Sequence, residues 1–337
     1  DGVSGISIGD TYPGNAFMLF QENLIEAGKS GVILTVCSKN NQTDIEEVWR
    51  KNPFIKLNKD HLSAYRINWQ NKAVNISEMA TELNISLDSF VFIDDNPAER
   101  LMVKQTLPEV TVPDFPDHPY EMEMFFRKVM DDYFQIYALT SEDKDKTRQY
   151  KENTDRNSAA SAAVDMDSFL GDLAMELKVI EGNDFTMDRI ASMTQKTNQF
   201  NLTTRRYTTA DIKNFIDNGS WVYCLNVKDK FGDNGITVAT IIHMNGHQAN
   251  FDSFLLSCRI LGRNIEIAFM KYILNLLFDQ GITEVYAEYV PSKKNVQTNN
   301  FYEKIGFNLL DELEDGIKKY SLNLHEKLNV KEYYKFM

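Results

Sequence analysis

The sequence predicts two domains: an α/β domain with a parallel sheet, followed by an α+β domain with an antiparallel sheet. Its 337 residues are enough for two domains of ordinary size. Up to about residue 115, short apolar segments alternate with helical ones, which is typical of parallel strands joined through helices. From about residue 165, several strands follow one another with few helices between them, which indicates an antiparallel sheet with flanking helices.

The domain boundaries follow from the same patterns. We place the first domain at residues 1–118, because four prolines between 108 and 119 interrupt regular structure. A charged helical linker is predicted at 119–164, with a helix start at Ser141–Lys144, and the second domain at 165–337. In the first domain we expect helices at 13–28, 43–51, 70–83 and 97–105, and strands at 31–37, 89–93 and near 110. In the second we expect strands at 175–180, 220–228, 235–245, 249–257 and 283–289, and helices at 186–195, 208–217, 263–279 and 295–304.

Composition and charge exclude several classes of partner. The net charge of −13 argues against a nucleic-acid partner, and no apolar run reaches the length of a membrane span. The three cysteines are odd in number and lack metal-ligand spacing, which predicts a reducing, cytoplasmic location. None of the five histidines has ligand spacing: His243 and His247 flank a predicted hairpin turn at Asn245–Gly246, so no zinc site is expected.

Two adjacent acids follow the apolar segment Val91–Ile93. Asp94 and Asp95 thus come at the carboxyl end of a predicted buried strand, where open α/β sheets bind ligands. Two carboxylates suit Mg²⁺, which prefers oxygen ligands. Asn96 and Pro97 come next, at a predicted helix start, so the alternative interpretation is a polar turn with a helix cap.

Two earlier segments favour the metal interpretation. Ser38, Lys39 and Asn40 follow the predicted strand 31–37, and Lys72 lies at a predicted helix start between the two strands. A hydroxyl can donate to a phosphoryl oxygen, a lysine can neutralise its charge, and acids can hold Mg²⁺. Each group alone is common, but this order of groups is typical of phosphoryl transfer.

The order of these residues resembles motifs II, III and IV of the haloacid dehalogenase (HAD) superfamily. The wording SKNN, INWQNKA and VFIDDNPAER is closer still to its FkbH-like branch, in which a HAD subfamily IIIC phosphatase-like domain is fused to an acyltransferase-like domain. The resemblance implies a HAD-like Rossmannoid parallel sheet. It also implies a phosphate site on Ser38, Lys39, Asn40 and Lys72, and Mg²⁺ on Asp94 and Asp95.

The HAD resemblance has one gap. HAD enzymes carry an aspartate nucleophile in an Asp-x-Asp motif just after their first strand. No strand that is followed by an Asp-x-Asp motif precedes Ser38 here. We therefore expect the natural N-terminus, with its nucleophile, to lie upstream of Asp1. An Asp-x-Asp at Asp165-Met166-Asp167 follows a polar, alanine-rich stretch and precedes Phe169, so we interpret it as a helix cap.

A second resemblance lies in the C-terminal half. Asn295–Phe307 resembles the last helix of the GCN5-related N-acetyltransferase (GNAT) family, and Arg259–Asn264 resembles the R-x-x-G start of its pyrophosphate loop. A glycine-bearing turn at a helix N-terminus can bind an anion, although an ordinary turn capped by Asn264 is the alternative. Because Asn264 stands where GNAT proteins have a small residue, the resemblance implies phosphopantetheine on a carrier protein as well as coenzyme A. The implied ligand residues are Arg259, Gly262, Arg263, Asn295 and Tyr302.

Two further segments extend the FkbH-like resemblance over nearly the whole chain. The sequences of Gln195–Tyr207 and Phe231–Ile236 both resemble those of FkbH-like proteins. The first is dense in hydrogen-bond donors and acceptors. It can line a polar cleft, or it can cap helices and hold a loop.

The resemblance implies an enzyme that takes a glyceryl group from 1,3-bisphosphoglycerate, releases phosphate and loads the acyl group onto an acyl carrier protein thiol. Cys37 is the first candidate for an acyl-carrying cysteine, because Lys39 nearby favours a thiolate. Strand alternation allows Cys37 to be a buried core residue instead. Cys258, beside the GNAT-like turn, is the second candidate, and Cys224 is expected in the core.

Two other functions stay open at the level of sequence. One is a plain HAD phosphatase acting on a small phosphorylated metabolite, with the GNAT-like domain as a recognition module. The other is a catalytically incomplete module that binds a carrier protein, for which the missing nucleophile is the reason.

Overall fold

The computed structural model describes residues 8–134 and 146–337, and it divides the chain into two units, 1–157 and 158–337. The predicted helix start at Ser141–Lys144 lies outside the described residues. The segment predicted as a linker is shared between the units, since one of its helices, Met122–Tyr133, belongs to the first unit and the next, Lys146–Ala162, crosses the division. No described helix is long and apolar enough to cross a membrane.

The first unit is α/β, with a short parallel sheet. Strands β1 (Thr35–Ser38) and β2 (Ala64–Ile67) pair in parallel, with Ser38 opposite Ile67. The helices are α1 (Gly14–Lys29), α2 (Gln42–Lys51), α3 (Lys72–Leu83), α4 (Pro97–Thr106), α5 (Met122–Tyr133) and α6 (Lys146–Ala162). The strand predicted at 89–93 is wrong in extent, because only a parallel bridge between Val91 and Thr111 forms there. Strand β2 was not predicted, since it has only four residues and one of them, Arg66, is charged.

The start of α3 is fixed by a cap and by burial. The side chain of Asn71 accepts a hydrogen bond of 2.8 Å from the amide of Ala73, which satisfies a free N–H of the first turn. Further along the helix, Ile76, Met79 and Leu83 are buried in the core of the unit at helical spacing. Lys72 is therefore held in the first turn of a helix that cannot rotate without exposing its apolar face.

The second unit is α+β, as predicted. Its strands are β3 (Glu176–Glu181), β4 (Trp221–Asp229), β5 (Gly232–Asn245), β6 (Gln248–Leu256), β7 (Glu284–Tyr289), β8 (Asn308–Glu312), β9 (Lys318–Asn323) and β10 (Lys335–Phe336). They form one sheet in the order β10-β3-β4-β5-β6-β7-β9-β8. The helices are α7 (Met166–Asp172), α8 (Met187–Lys196), α9 (Thr209–Asp217), α10 (Ile265–Asp279) and α11 (Phe301–Ile305). Strand β8 escaped prediction because all five of its residues are exposed and give no alternation.

The structure confirms one prediction about local structure in this unit and shifts another by one residue. The carboxylate of Asp165 accepts a hydrogen bond of 2.8 Å from the amide of Ser168 at the start of α7, so this acid is a helix cap. The hairpin between β5 and β6 is also present, but its turn is one residue later than predicted, at Gly246 and His247, because Asn245 still pairs with Gln248.

Strands β6 and β7 are parallel neighbours that pair only over Gln248–Phe251. Beyond that point the segment Asn201–Thr203 lies between them. Leu202 donates its amide to Phe254 O at 3.2 Å and accepts at its carbonyl from the amide of Val290 at 2.8 Å. The gap between the two strands is thus closed by the chain's own backbone.

Asn295 holds this segment in place. Its side chain is fully buried and donates to the carbonyls of Asn201 and Val290 at 2.9 and 3.0 Å. The side-chain oxygen of Asn295 accepts from the amide of Ser292 at 2.7 Å and from the hydroxyl of Tyr289 at 3.1 Å. Every hydrogen-bonding position of the amide is therefore used inside the protein.

We predict that Asn295→Ala lowers the free energy of unfolding by about 2–4 kcal/mol, because several buried polar groups lose their partner. The exposed Asn308→Ala is the matched control and should change it by less than about 0.5 kcal/mol. Urea-induced unfolding of the three proteins measures the difference. Equal midpoints for both variants would contradict this role of Asn295.

Candidate phosphate and metal site

The polar residues that follow β1 and β2 are joined at one edge of the parallel pair. The amide of Asn68, just after β2, donates to the carbonyl of Ser38 at 3.1 Å. The side-chain amides of Asn68 and Asn75 form two hydrogen bonds with each other, of 2.8 and 3.2 Å. Because Asn75 is buried on α3, this pair fixes the helix against the strand ends.

Lys72 and Asp94 meet as a buried ion pair. Lys72 Nζ lies 2.5 Å from Asp94 Oδ2, and the two side chains are 12% and 5% exposed. The other carboxylate oxygen of Asp94 accepts from the amide of Asn96 at 2.9 Å. Arg100 donates to the carbonyls of Asp94 and Asp95, each at 2.8 Å. These two bonds fix the backbone of the loop that contains both acids, which we call the acidic loop.

The helix-cap interpretation holds for Asn96 and leaves both acids outside the helix. The side chain of Asn96 accepts from the amide of Ala98 at 2.9 Å, and Pro97 is the first residue of α4. The carboxylates of Asp94 and Asp95 are therefore not consumed in capping. Asp94 is buried and Asp95 is exposed.

The acidic loop fits a magnesium ion of the kind that keeps several waters. Mg²⁺ is commonly bound by one or two carboxylates together with a substrate phosphate. Asp94 and Asp95 supply two adjacent carboxylates, and the exposed one is open to solvent. Residues 8–134 and 146–337 contain no group of three or more His, Cys, Asp or Glu arranged to hold a metal. The two acids would therefore bind the ion with water and substrate oxygens as the other ligands.

The other predicted phosphate ligands have different surroundings. Ser38 ends β1 and lines a largely apolar cavity of about 210 Å³. Lys39 Nζ lies 2.6 Å from Glu99 Oε1, so its charge is already balanced by a carboxylate. Asn40 accepts from the amide of Asn41 at 2.9 Å. Phosphate binding by Ser38, Lys39 and Asn40 stays a prediction, and the ion pair makes Lys39 the least available of them.

Glu99 is a site residue that its sequence position does not reveal. It lies in the first turn of α4, where acids are common for their favourable interaction with the helix dipole. The structure instead buries it against Lys39, and its second oxygen, Oε2, has no hydrogen-bond partner among the described residues.

Cys37 is surrounded by groups that disfavour its thiolate. Its sulfur lies 3.8 Å from the carbonyl of Lys72, and the side chain packs against the core of the first unit. Burial raises the pKa of the Cys37 thiol, and it outweighs the lowering effects of Asn75 and Lys72. The expectation that Lys39 activates this thiol is wrong, because Lys39 pairs with Glu99. The structure favours the alternative, a core cysteine.

In the second unit, the two arginines of the GNAT-like turn have partners inside the protein. Arg263 is buried and donates to Asp229 Oδ2 at 3.0 Å and to the carbonyl of Arg259 at 2.8 Å. Arg259 is also buried and donates from Nε to the hydroxyl of Ser257 at 3.2 Å. Their predicted role in binding an acyl-thiol ligand is opposed by these contacts, since neither guanidinium extends into solvent.

Of the three other predicted ligand residues, two are used or buried inside the protein and one is exposed. Asn295 is used entirely inside the protein, as described above. Tyr302 is buried among aromatic rings, its hydroxyl has no partner among the described residues, and burial raises its pKa. Gly262 is exposed and has a φ of 81°, a backbone that favours glycine. Of the predicted set, only the Gly262 backbone is openly placed for a ligand.

Glu266 lies at the start of α10, where the sequence predicted that an anionic ligand could bind. A cavity of about 190 Å³ there is lined by Asn264, Glu266 and Lys304, among others. Burial raises the pKa of the Glu266 carboxyl. Asn264 makes no side-chain cap, so the alternative of a turn capped by this residue is wrong. A carboxyl at this position disfavours the pyrophosphate of coenzyme A more than an uncharged pantetheine arm.

The remaining cysteines also differ from each other. Cys224 is fully buried, and burial raises its pKa to about 12, as expected for a core residue. Cys258 is half-buried beside the turn that leads into α10.

The polar segment Gln195–Tyr207 holds a loop, the second of its two predicted roles. Asn201 accepts from the amide of Thr204 at 2.9 Å, and Thr203 donates to the carbonyl of Asp252 at 2.9 Å. The hydroxyl of Tyr207 donates to the Asp252 carboxylate at 2.9 Å. These contacts bind the segment to the edge of β6.

Similarity to known proteins is confined to parts of the chain. No family model matches it, and no curated protein matches it. The N-terminal part of BF1531 from Bacteroides fragilis, described as containing a phosphatase domain complexed with Mg, is 38% identical over 41% of this chain, with a TM-score of 0.39. This chain spans 37% of the length of that structure.

Two further solved structures are similar at lower identity. The ribosomal-protein-S18-alanine N-acetyltransferase from Escherichia coli is 12% identical, with 45% of this chain and 99% of that one covered and a TM-score of 0.36. Ard1 from Thermoplasma volcanium is 16% identical, with 44% and 99% covered and a TM-score of 0.36. With all three TM-scores below 0.5, the function has to be inferred from the residues of this chain.

We predict that Asp94→Asn makes Cys37 react several-fold faster with iodoacetamide near pH 8. The negative charge of Asp94 raises the pKa of Cys37, so its removal increases the thiolate fraction. The matched control is Asp95→Asn, whose charge is not among those acting on Cys37. Peptide mass spectrometry measures the rate. Equal rates in both variants would show that Asp94 does not control this thiol.

Proposed function

We propose that the first unit binds the phosphate group of a small metabolite and Mg²⁺ for phosphoryl or acyl transfer. Lys72 and Ser38 would contact the phosphate, and Asp94 and Asp95 would hold the ion. The observation that supports this most directly is the buried ion pair of Lys72 and Asp94 at the edge where β1 ends in Ser38.

The ion pair is difficult to explain as a stabilising contact. Removing two charges from water has a cost that their attraction often fails to offset. A lysine and a carboxylate kept together at the end of a parallel strand are, however, what a phosphate and a cation need when they bind side by side. Bound Mg²⁺ would neutralise phosphate charge, while Lys72 would orient the phosphate and balance its remaining charge.

We further propose glyceryl transfer from 1,3-bisphosphoglycerate to the thiol of an acyl carrier protein. The thiol sulfur attacks the acyl carbon, the bond from that carbon to the bridging phosphate oxygen breaks, and the departing phosphate or solvent takes the thiol proton. The resemblance of sequence segments in both units to FkbH-like proteins supports 1,3-bisphosphoglycerate as the substrate. If a cysteine of this protein carries the acyl group on the way, the raised pKa of Cys37 favours Cys258.

A plain phosphatase is the second candidate. It is favoured by the internal partners of Arg259, Arg263 and Asn295, which leave few side chains of the GNAT-like segments for an acyl-thiol ligand. The second unit would then recognise a substrate or a protein. A binding module without catalysis is the third candidate, and product analysis separates all three.

We predict that Asp95→Asn weakens Mg²⁺ binding about tenfold, because Mg²⁺ prefers carboxylate oxygens to an amide. Asp114→Asn is the control, since Asp114 is an exposed acid of the same unit that pairs with Lys104. Calorimetric titration with MgCl₂ in the presence of inorganic phosphate measures both. Unchanged affinity in Asp95→Asn would exclude this acid as a ligand.

The chain incubated with Mg²⁺, 1,3-bisphosphoglycerate and a phosphopantetheinylated carrier protein should yield a carrier with a glyceryl mass gain. Lys72→Met should slow this transfer about a hundredfold or more, as expected when one group that stabilises phosphate charge is removed. Intact-protein mass spectrometry measures the gain. Phosphate release without a gain indicates the plain phosphatase, and neither product indicates a binding module.

A further inference from the structure

Three side chains of the second unit lie next to each other on or beside the neighbouring strands β4, β5 and β6. Ser220, which directly precedes β4, has its Oγ 2.9 Å from Nδ1 of His243 on β5. The other ring nitrogen, Nε2 of His243, lies 3.6 Å from Oδ1 of Asp252 on β6. A hydroxyl, an imidazole and a carboxylate in this order are the parts of an activated serine nucleophile.

Strand register explains why residues so distant in sequence meet. Trp221 is paired with Ile242, so the next positions along the antiparallel strands, Ser220 and His243, face each other. Between β5 and β6 the register shifts, with Ile241 opposite Ser253 and Ile242 opposite Phe251. Asp252 is the extra residue of this bulge, and a bulge re-aims the side chain of its extra residue.

The carboxylate of Asp252 is held rigidly. Its side chain is 7% exposed, and its Oδ2 accepts from the Tyr207 hydroxyl at 2.9 Å and from the Ser253 hydroxyl at 2.8 Å. The guanidinium of Arg205 pairs with its Oδ1. Burial beside this carboxylate raises the pKa of Tyr207 to about 12, so the phenol remains a hydrogen-bond donor at neutral pH. These partners fix the position of the carboxylate, and its Oδ1 pairs with Arg205 and lies 3.6 Å from the imidazole.

The other two groups are accessible. The side chain of His243 is 42% exposed, and Ser220 is half-buried. The ring of Phe215 lies 5.4 Å from the imidazole and forms an apolar wall on one side. A buried carboxylate, an exposed imidazole and a reachable hydroxyl are the pattern of burial that a serine nucleophile requires.

We propose that Ser220, His243 and Asp252 form a second reactive centre, in which Ser220 accepts an acyl group from an ester or thioester. In the tautomer with its proton on Nε2, His243 takes the Ser220 proton on Nδ1 as Oγ attacks the acyl carbon. The bond to the leaving alcohol or thiol then breaks, and that group takes the proton from Nδ1. Asp252 is a positioning residue whose negative charge, 3.6 Å from Nε2, stabilises the imidazolium electrostatically.

This centre uses none of the residues assigned to phosphate or Mg²⁺. The same contacts, however, also fit a purely structural network, in which Asp252 serves only to bind Arg205 and Tyr207 and so to hold the segment Gln195–Tyr207. The two explanations differ in what they require of Ser220 and His243, which do not touch that segment in any contact described above.

Incubation of the chain with a fluorophosphonate probe tests the proposal. We expect one adduct per chain, located on the Ser220 peptide by mass spectrometry. Ser220→Ala should remove it, and His243→Gln should slow it about a hundredfold or more, the usual effect of losing a positioned base. The controls are Ser321→Ala, a half-buried serine on β9, and His247→Gln, an exposed histidine on the β5–β6 turn; both should react like the parent.

Asp252→Asn is tested by hydrolysis of p-nitrophenyl acetate. We expect kcat to fall at least about tenfold with KM unchanged, the pattern expected when an interaction made only in the transition state is lost. Absence of an adduct on Ser220, or equal labelling of the His243→Gln variant, would overturn the proposal. Because Ser220 and His243 are not core residues, these two variants decide even if Asp252→Asn fails to fold.

Discussion

The buried contact between Lys72 and Asp94 is the interaction on which the candidate site of the first unit depends. It joins the start of α3 to the acidic loop before α4, and it does so at the edge where β1 ends. Each partner is fixed by its own surroundings: Asn71 caps the helix that carries the lysine, and Asn96 and Arg100 hold the loop that carries the acid. A phosphate and a cation bound here would find both charges already placed.

The same unit shows how burial selects among neighbouring groups of similar chemistry. Lys39 and Lys72 are both lysines near β1, yet Lys39 is balanced by Glu99 and Lys72 by a carboxylate suited to Mg²⁺. Cys37 sits one residue before Ser38, yet burial suppresses its thiolate. Adjacency in sequence to a reactive group therefore does not confer its role.

In the second unit, several polar residues that were predicted to bind a ligand make hydrogen bonds inside the protein instead. The segment Asn201–Thr203 fills the gap between β6 and β7, and Asn295 is consumed in holding it there. The arginines of the GNAT-like turn are likewise turned inward. Among the described residues of this unit, accessible groups include the exposed backbone at Gly262, the cavity beside Glu266, and Ser220 and His243 next to the buried Asp252. This distribution places the available chemistry of the unit away from most of the residues that the GNAT resemblance singled out.

Local sequence patterns predicted the two fold classes, most helices, the central strands of the second unit, and the order Ser38, Lys72, Asp94 and Asp95. These features depend on local periodicity, caps and spacing, which are written in neighbouring residues. Strands β2, β8, β9 and β10 and the contacts of Lys39, Arg263 and Asn295 became visible only in the folded chain. The alignment of Ser220, His243 and Asp252 belongs to the same group, because it requires a strand register and a bulge. Such pairings depend on which backbone lies opposite, and no local pattern encodes that.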